Sequence, residues 1–129
     1  AMTINAHITQ MREVGPGVAV GYGGSFVTPR KTKLALLPVG YADGLPRALS
    51  NKQSVLVGGI RCPIAGNISM DQCAVDVTDA DPNLGDEVVF LGPQGDDEVL
   101  VEEWADAAGS IPYEIICGLG HRLPRLYHK

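Results

Sequence analysis

Apolar and polar residues alternate over short stretches of this chain, and glycines and prolines separate the stretches. Near the start, Ile4, Ala6 and Ile8 would share one face of an extended chain, with polar residues between them. Such alternation is typical of a half-buried β-strand. Further strands are predicted at residues 18–21, 33–39, 54–57, 60–64, 72–77, 87–91, 113–117 and 122–127. Gly58 and Gly59 predict a tight hairpin between two of them.

Residues 101–108 have helical spacing instead. Val101, Trp104, Ala105 and Ala108 would share one helical face, and Gly109 follows as a C-terminal stop. One short helix among many short strands with glycine-rich turns predicts an all-β fold, a closed or nearly closed antiparallel barrel of Greek-key type. No repeat or second domain is evident, so we expect residues 1–129 to form a single domain.

Composition narrows the class of protein. Hydrophobic residues make up 45% of the 129 residues, which is enough for one buried core. The net charge of -5 and the scattered basic residues argue against a nucleic-acid-binding surface. No apolar stretch approaches the roughly 20 residues of a membrane span, and the first residues do not resemble a signal peptide, so we expect a cytoplasmic protein without a membrane partner.

The three cysteines, Cys62, Cys73 and Cys117, have no CxxC spacing. We therefore expect free, buried thiols and neither disulfides nor a metal site. The common single-chain signatures GxGxxG, GxSxG and the P-loop are also missing. Any chemistry must therefore come from less familiar segments.

Four segments are candidates, and each also has a purely structural interpretation. In GYGGSF, the glycines around Tyr22 would let the phenol approach a ligand or another chain, but Gly and Tyr are also common in turns. PVGYADG contains Tyr41 in a glycine-framed loop. ISMDQ leads from a turn into a strand, where its backbone N–H groups could meet an anion or simply begin a bulged strand. PYEIIC places Tyr113 ahead of a basic stretch that suits either a phosphate or solvent.

In this order, GYGGSF, PVGYADG, ISMDQ and PYEIIC resemble the C-terminal domain of alanine racemase, a family of pyridoxal-phosphate enzymes that interconvert L- and D-alanine. The resemblance covers nearly the whole chain. It implies a mostly β domain that normally follows a barrel carrying the cofactor lysine. This chain has lysines at 31, 33, 52 and 129, and none lies in a similar motif. We therefore expect the lysine-bearing barrel to be absent from this chain.

The resemblance also implies roles for individual residues. Tyr22 matches the tyrosine that accepts and donates a proton on one face of the substrate α-carbon, opposite the cofactor lysine. Met70 matches the residue whose backbone N–H holds the substrate carboxylate, and Tyr113 matches the tyrosine that reaches the cofactor phosphate. The matches to the active-site entrance are Tyr41, Asp71, Ile111 and Arg47. Asn67 stands where some members carry an arginine, which leaves the charge of the outer entrance open.

By this resemblance the full-length protein is a homodimer, in which the β domain of one subunit covers the barrel mouth of the other. It would supply D-alanine for peptidoglycan, and this chain alone would neither bind pyridoxal phosphate nor racemise alanine. A serine racemase of the same family and the racemase half of a fused cell-wall enzyme remain alternatives. A non-catalytic binding or dimerisation module is a further alternative, against which the joint presence of Tyr22, Met70 and Tyr113 argues.

Overall fold

The computed structural model describes residues 2–20, 24–109 and 126–127, and these form eleven strands and one α-helix. The strands are β1 (Met2–His7), β2 (Gln10–Val14), β3 (Ala19–Val20), β4 (Phe26–Val27), β5 (Thr32–Leu37), β6 (Ser54–Val57), β7 (Ile60–Ala65), β8 (Cys73–Asp76), β9 (Glu87–Gln94), β10 (Asp97–Val99) and β11 (Leu126–Tyr127). The helix, α1, spans Val101–Ala108, as the sequence predicts. Short 3-10 turns occur at Tyr41–Asp43 and Arg47–Leu49.

The strands form one large antiparallel sheet and one small hairpin. The large sheet has the order β11-β1-β9-β6-β7-β8-β5-β2, and β10 pairs with β9. The hairpin consists of β3 and β4. Val57 pairs with Ile60 across the Gly58-Gly59 turn, so the predicted tight hairpin is confirmed. A mostly β, antiparallel fold with one helix is therefore confirmed as well.

The sheet curves strongly, but the predicted closed barrel is not confirmed. Within the described part of the chain, the outermost strands β11 and β2 do not pair. The Ile8 amide nevertheless donates to Asp86 O at the start of β9 (3.0 Å), and the next amide, of Thr9, donates to Leu36 O in β5 (3.2 Å). In a flat sheet, β9 and β5 would lie about 19 Å apart, four strand spacings. Because adjacent residues bond to both, the sheet must bend back on itself.

Curvature gives the sheet an inner and an outer face with separate apolar clusters. Ala35 and Leu37 of β5 point into the main core, which the helix covers. The alternate residue Leu34 points to the other face, where it is buried together with Val20 of the hairpin and Ala74. The hairpin β3–β4 therefore packs on the outer face of the sheet.

Helix α1 is fixed to the sheet at two places. The buried Trp104 donates from Nε1 to the carbonyl of Phe90 at 2.9 Å. On the surface, the Arg61 guanidinium pairs with Asp97 and with Glu103 in the first turn of the helix. These bonds to Arg61 hold the pKa values of both carboxyl groups below their usual range. Gly109 ends the helix in the left-handed conformation, with φ of 68°.

Several predicted boundaries shift in the structure. The strand predicted at 18–21 is observed as Ala19–Val20, with Gly21 outside the described residues, and the one predicted at 33–39 is observed as Thr32–Leu37. The prediction at 113–117 lies outside the described residues, as does 122–127 apart from Leu126–Tyr127. In the described ranges no helix is long and apolar enough to cross a membrane.

Candidate functional site

Two tight turns lie side by side at one end of the sheet. The 3-10 turn Tyr41–Asp43 follows β5, and the turn at 69–72 precedes β8, which pairs antiparallel with β5. The Tyr41 amide donates to the Ser69 carbonyl at 3.0 Å, and the Ala42 amide donates to the Met70 carbonyl at 2.8 Å. Two motifs that lie far apart in sequence thus form one backbone unit.

Met70 lies at the tip of the second turn. Ser69 closes the turn, because both its amide and its hydroxyl donate to the Gln72 carbonyl, at 3.0 and 2.8 Å. The Met70 side chain is 56% exposed and therefore contributes little to the core. No acceptor for the Met70 amide N–H is found among the residues that the structure describes. The carbonyls of Ser69 and Met70 are therefore held by the protein, whereas the Met70 amide is available to a ligand.

A second set of hydrogen bonds joins the chain segment before the Met70 turn to the β3–β4 hairpin on the outer face. The Asn51 side chain accepts from the Gly66 amide at 2.7 Å and donates to Ser25 Oγ at 3.0 Å. One residue earlier, Ser50 Oγ accepts from the Ile68 amide at 2.9 Å. The segment that follows Arg47 is therefore bonded to the strand end that leads into the Met70 turn. It is also bonded to the loop between β3 and β4.

A cavity of about 420 Å³ lies between the hairpin and the outer face of the sheet. Apolar residues of β3, β5 and β8 line one part of it, and polar side chains from the 67–72 segment line another. The described lining residues are Arg12, Ala19, Val20, Leu34, Leu36, Asn67, Ser69, Gln72, Cys73 and Ala74. Burial raises the pKa of the Cys73 thiol to about 12, so this thiol stays protonated and unreactive near neutral pH.

Sequence comparison identifies the family of this chain. Residues 1–127 match the family described as alanine racemase, C-terminal domain. The chain belongs to this family. It is 48% identical over 127 residues to an alanine racemase of Halothermothrix orenii and 45% identical over 127 residues to one of Thermobifida fusca. In both cases the match covers 98% of this chain and 34% of the relative. The chain therefore spans about a third of the length of these relatives.

Solved structures agree with the sequence match. The alanine racemase of Streptomyces coelicolor A3(2) superposes with a TM-score of 0.90 at 44% identity, covering 97% of this chain and 33% of that one. An alanine racemase of Bartonella henselae with covalently bound pyridoxal phosphate gives a TM-score of 0.88 at 42% identity, covering 98% of this chain and 34% of that one. The fold of this alanine racemase domain is thus shared with relatives of known structure.

The structure brings some of the predicted site residues together. Tyr41, Met70 and Asp71 lie in the two adjoining turns, and all three side chains are exposed. Arg47 is exposed as well, in the next 3-10 turn along the chain. The other predicted site residues of this alanine racemase domain lie outside the described residues: Tyr22, Ile111 and Tyr113.

Sequence reasoning missed the residues that hold the site together. Asp43 is fully buried and accepts a hydrogen bond from the Gly40 amide at 3.0 Å, whereas the sequence suggests only an ordinary Asp-Gly turn. Asn51 attracted no prediction, although its φ of 59° is typical of asparagine in tight turns. The sequence does not reveal the roles of these two polar residues, because the backbone groups that they help to position lie in distant segments.

Proposed function

We propose that this chain is the C-terminal domain of a pyridoxal-phosphate-dependent alanine racemase, which interconverts L- and D-alanine. The observation that carries the proposal is the Met70 turn, which presents an available backbone N–H where the family resemblance requires a donor for the substrate carboxylate. The relatives are named alanine racemases, which favours alanine over serine as the substrate. The same family membership supports a cytoplasmic role in supplying D-alanine for peptidoglycan.

The proposed substrate contact is made by backbone alone. A carboxylate would accept a charge-assisted hydrogen bond from the Met70 N–H. Such a contact needs a fixed peptide plane and makes no demand on the side chain, so a plain methionine suffices. The hydrogen bond from the Tyr41 amide to the Ser69 carbonyl supports this role, because that carbonyl lies in the same peptide plane as the Met70 N–H.

Tyr22 is proposed to hold and move the proton on one face of the substrate α-carbon. When bound, pyridoxal phosphate withdraws electrons from that carbon and so makes its proton acidic enough to remove. An unperturbed tyrosine has a pKa of about 10, so its phenol must be tuned by its surroundings to act as a base near neutral pH. The partner subunit's barrel would supply those surroundings.

The remaining residues are proposed to hold and admit the small molecules. Tyr113 would donate to the cofactor phosphate from its phenol. Tyr41, Asp71 and Arg47 would line the entrance together with Ile111, and the exposure of the first three supports this assignment. An exposed phenol, carboxylate and guanidinium form a polar passage that admits a zwitterionic amino acid.

The cofactor fits this chain only as a contributor to a shared site. The lysine that binds pyridoxal phosphate is assigned to a barrel domain outside this sequence, whereas the Met70 N–H and the Tyr113 phenol would donate to the anionic groups of ligands held there. We propose that residues 1–129 form a single domain with a barrel-like sheet. The domain would act in a homodimer, where it covers the barrel mouth of the partner subunit. The chain alone would be inactive.

A chimeric enzyme tests the proposal. Residues 1–129 replace the matching third of the Streptomyces coelicolor alanine racemase, whose remaining two thirds, roughly a complete barrel domain, supply the lysine. We expect the chimera to racemise alanine and the chain alone to be inactive. A folded, cofactor-loaded chimera without racemase activity would contradict the proposal and favour a non-catalytic module.

Tyr22→Phe in the chimera tests the assignment of the base. Exchange of the alanine α-proton in deuterated water is followed separately for each enantiomer. Because Tyr22 is assigned to the L-alanine face, we expect exchange from L-alanine to fall far more than exchange from D-alanine, by about 10²- to 10⁴-fold. Tyr127→Phe, a tyrosine change in the β11 strand, is the matched control and should leave both exchanges intact. Equal loss from both enantiomers after Tyr22→Phe would show a structural tyrosine.

A further inference from the structure

The Met70 turn is closed by the bonds from Ser69 to Gln72, and its Ser69 and Met70 carbonyls are held by a neighbouring turn. The amides of Tyr41 and Ala42 donate to the carbonyls of Ser69 and Met70, at 3.0 and 2.8 Å. Both donors belong to one 3-10 turn, so their directions change together if that turn rotates or opens. The orientation of the Met70 peptide therefore depends on the geometry of the Tyr41–Asp43 turn.

Asp43 closes that turn from inside the protein. Its side chain is fully buried, and its Oδ2 accepts from the Gly40 amide at 3.0 Å. The Asp43 amide in turn donates to the Gly40 carbonyl at 3.0 Å. Gly40, which precedes the turn, and Asp43, its last residue, thus bond to each other twice, which fixes the amides of the two residues between them. A buried carboxylate is costly unless it is bonded, so its presence here indicates a specific structural task.

Gly40 allows the two turns to approach closely. A Cβ placed on Gly40 would lie 2.3 Å from the Ser69 carbonyl oxygen and 2.6 Å from the Asp71 nitrogen. Real Cβ atoms do not approach a backbone this closely, and both contacts are to backbone atoms that cannot swing away. Any side chain at residue 40 would therefore push the Met70 turn away from its present position.

We propose that Asp43 is a positioning residue, which with Gly40 orients the Met70 peptide so that its N–H points to the substrate carboxylate. The inference rests on the proposed role of Met70 and assigns residues that make no contact with substrate themselves. Asp43 acts through the Gly40 amide, then through the Tyr41 and Ala42 amides, on the Ser69 and Met70 carbonyls. The expected consequence is weaker binding of the substrate carboxylate when this turn loosens.

The test uses the chimeric racemase and an inhibitor that isolates the carboxylate contact. Propionate keeps the carboxylate and methyl group of alanine and lacks the amino group, so its inhibition constant reports on carboxylate binding. We expect Asp43→Ala to raise this constant about tenfold, the loss that follows from misplacing one hydrogen bond to a charged group. Asp43→Asn should stay close to the unmodified chimera, because the amide oxygen still accepts from Gly40.

Gly40→Ala tests the same inference in a second way, because the added methyl group should push the Met70 turn out of position. It serves as the test if Asp43→Ala does not fold. It should also raise the inhibition constant for propionate. Hydrogen exchange provides a readout apart from activity: the amides of Tyr41 and Ala42 should exchange faster in Asp43→Ala and normally in Asp43→Asn. Asp96→Ala removes an exposed carboxylate far along the chain and should change neither measurement.

Trp104→Phe controls for general loss of stability, because it weakens the helix contact and leaves both turns intact. An active chimera in which Asp43→Ala and Gly40→Ala bind propionate normally would overturn the inference. So would an equal rise of the constant in Trp104→Phe. An unmodified chimera that does not racemise alanine would instead overturn the proposed function, and the inference with it.

Discussion

Asn51 accepts a hydrogen bond of 2.7 Å from the Gly66 amide, and the same side chain donates to Ser25 Oγ at 3.0 Å. The amide group of one residue thus joins the β7 strand end, the loop after Arg47 and the β3–β4 hairpin. Asn51 makes these contacts from a left-handed backbone conformation, with φ of 59°. Together with Ser50, whose Oγ accepts from the Ile68 amide, Asn51 holds the strand end that leads into the Met70 turn.

Replacing Asn51 should separate the contribution of its hydrogen bonds from that of its backbone conformation. Asn51→Gly keeps the left-handed conformation and loses both bonds, so we expect a loss of about 1 kcal/mol in the free energy of unfolding. Asn51→Ala loses the same bonds and adds strain, for a total of about 2 kcal/mol. Urea denaturation of the chain or the chimera measures both. A glycine variant less stable than the alanine variant would show that the backbone relaxes.

Trp104 should stabilise the domain through a buried hydrogen bond as well as through packing. Trp104→Phe leaves the Phe90 carbonyl without its donor and opens a small cavity, so we expect a loss of about 2 kcal/mol. Trp104 is the only tryptophan, so unfolding of the variant must be followed by circular dichroism. Leu84→Ala, at a site that is 63% exposed, is the control and should change stability by less than about 0.5 kcal/mol. Equal stability of all three proteins would remove the role assigned to Trp104.

The sequence predicts those elements that bury a regular apolar pattern. Helix 101–108 and strand 54–57 have the predicted bounds, because the helix has clear helical spacing and the strand is a short buried apolar run that ends at a glycine turn. Strand β2 was not predicted, since Gln10, Arg12 and Glu13 are exposed and give no alternation. Strands β4 and β10 are two and three residues long, which is too short for periodicity to show.

The sequence predicts which residues belong to the candidate site but not how they are held in place. Motif resemblance points to Met70 and Tyr41, because these residues stand in segments typical of the family. It does not show that their turns bond to each other, which depends on the antiparallel pairing of β5 with β8. Asp43 and Asn51 hold the site in place through hydrogen bonds that depend on contacts between distant segments. Composition or spacing along the chain cannot reveal these contacts.

Cys62 and Cys73 should resist alkylation in the folded protein. Burial raises the pKa of Cys62 to about 11 and that of Cys73 to about 12, so little thiolate is present at pH 8. We expect both to react with iodoacetamide at least a hundredfold more slowly in the native state than in urea, on the order set by the thiolate fraction. Mass spectrometry of the labelled peptides distinguishes the sites. Rapid native labelling of Cys73 would indicate that the outer-face cavity opens to reagent.

The surface cluster formed by Arg61, Asp97 and Glu103 should make the stability of the domain depend on pH in acid. Arg61 bonds to Asp97 at 2.8 and 3.2 Å and also donates to the Glu98 carbonyl at 2.8 Å. Glu103 additionally accepts from the Leu100 amide at 2.9 Å, which caps the start of α1. The cluster therefore joins β7, β10 and the helix through a network and not through one isolated ion pair.

The direction of the effect follows from the pKa values of the two carboxyl groups, which Arg61 lowers in the folded protein. Folding then favours the ionised forms, so the stabilisation is complete above the unfolded-state pKa values of about 4 and is lost as the pH falls through the folded-state values. We expect Arg61→Gln to lower the free energy of unfolding at pH 7. As the pH falls below about 4, the stability of this variant should approach that of the unmodified chain.

Arg30→Gln is the control, because it breaks one exposed ion pair with Asp79 and should cost less than about 0.5 kcal/mol at pH 7. Urea denaturation at a series of pH values measures both variants. A deficit in Arg61→Gln that stays constant down to pH 2 would mean that Arg61 stabilises the helix through packing of its side chain and not through the two carboxylates.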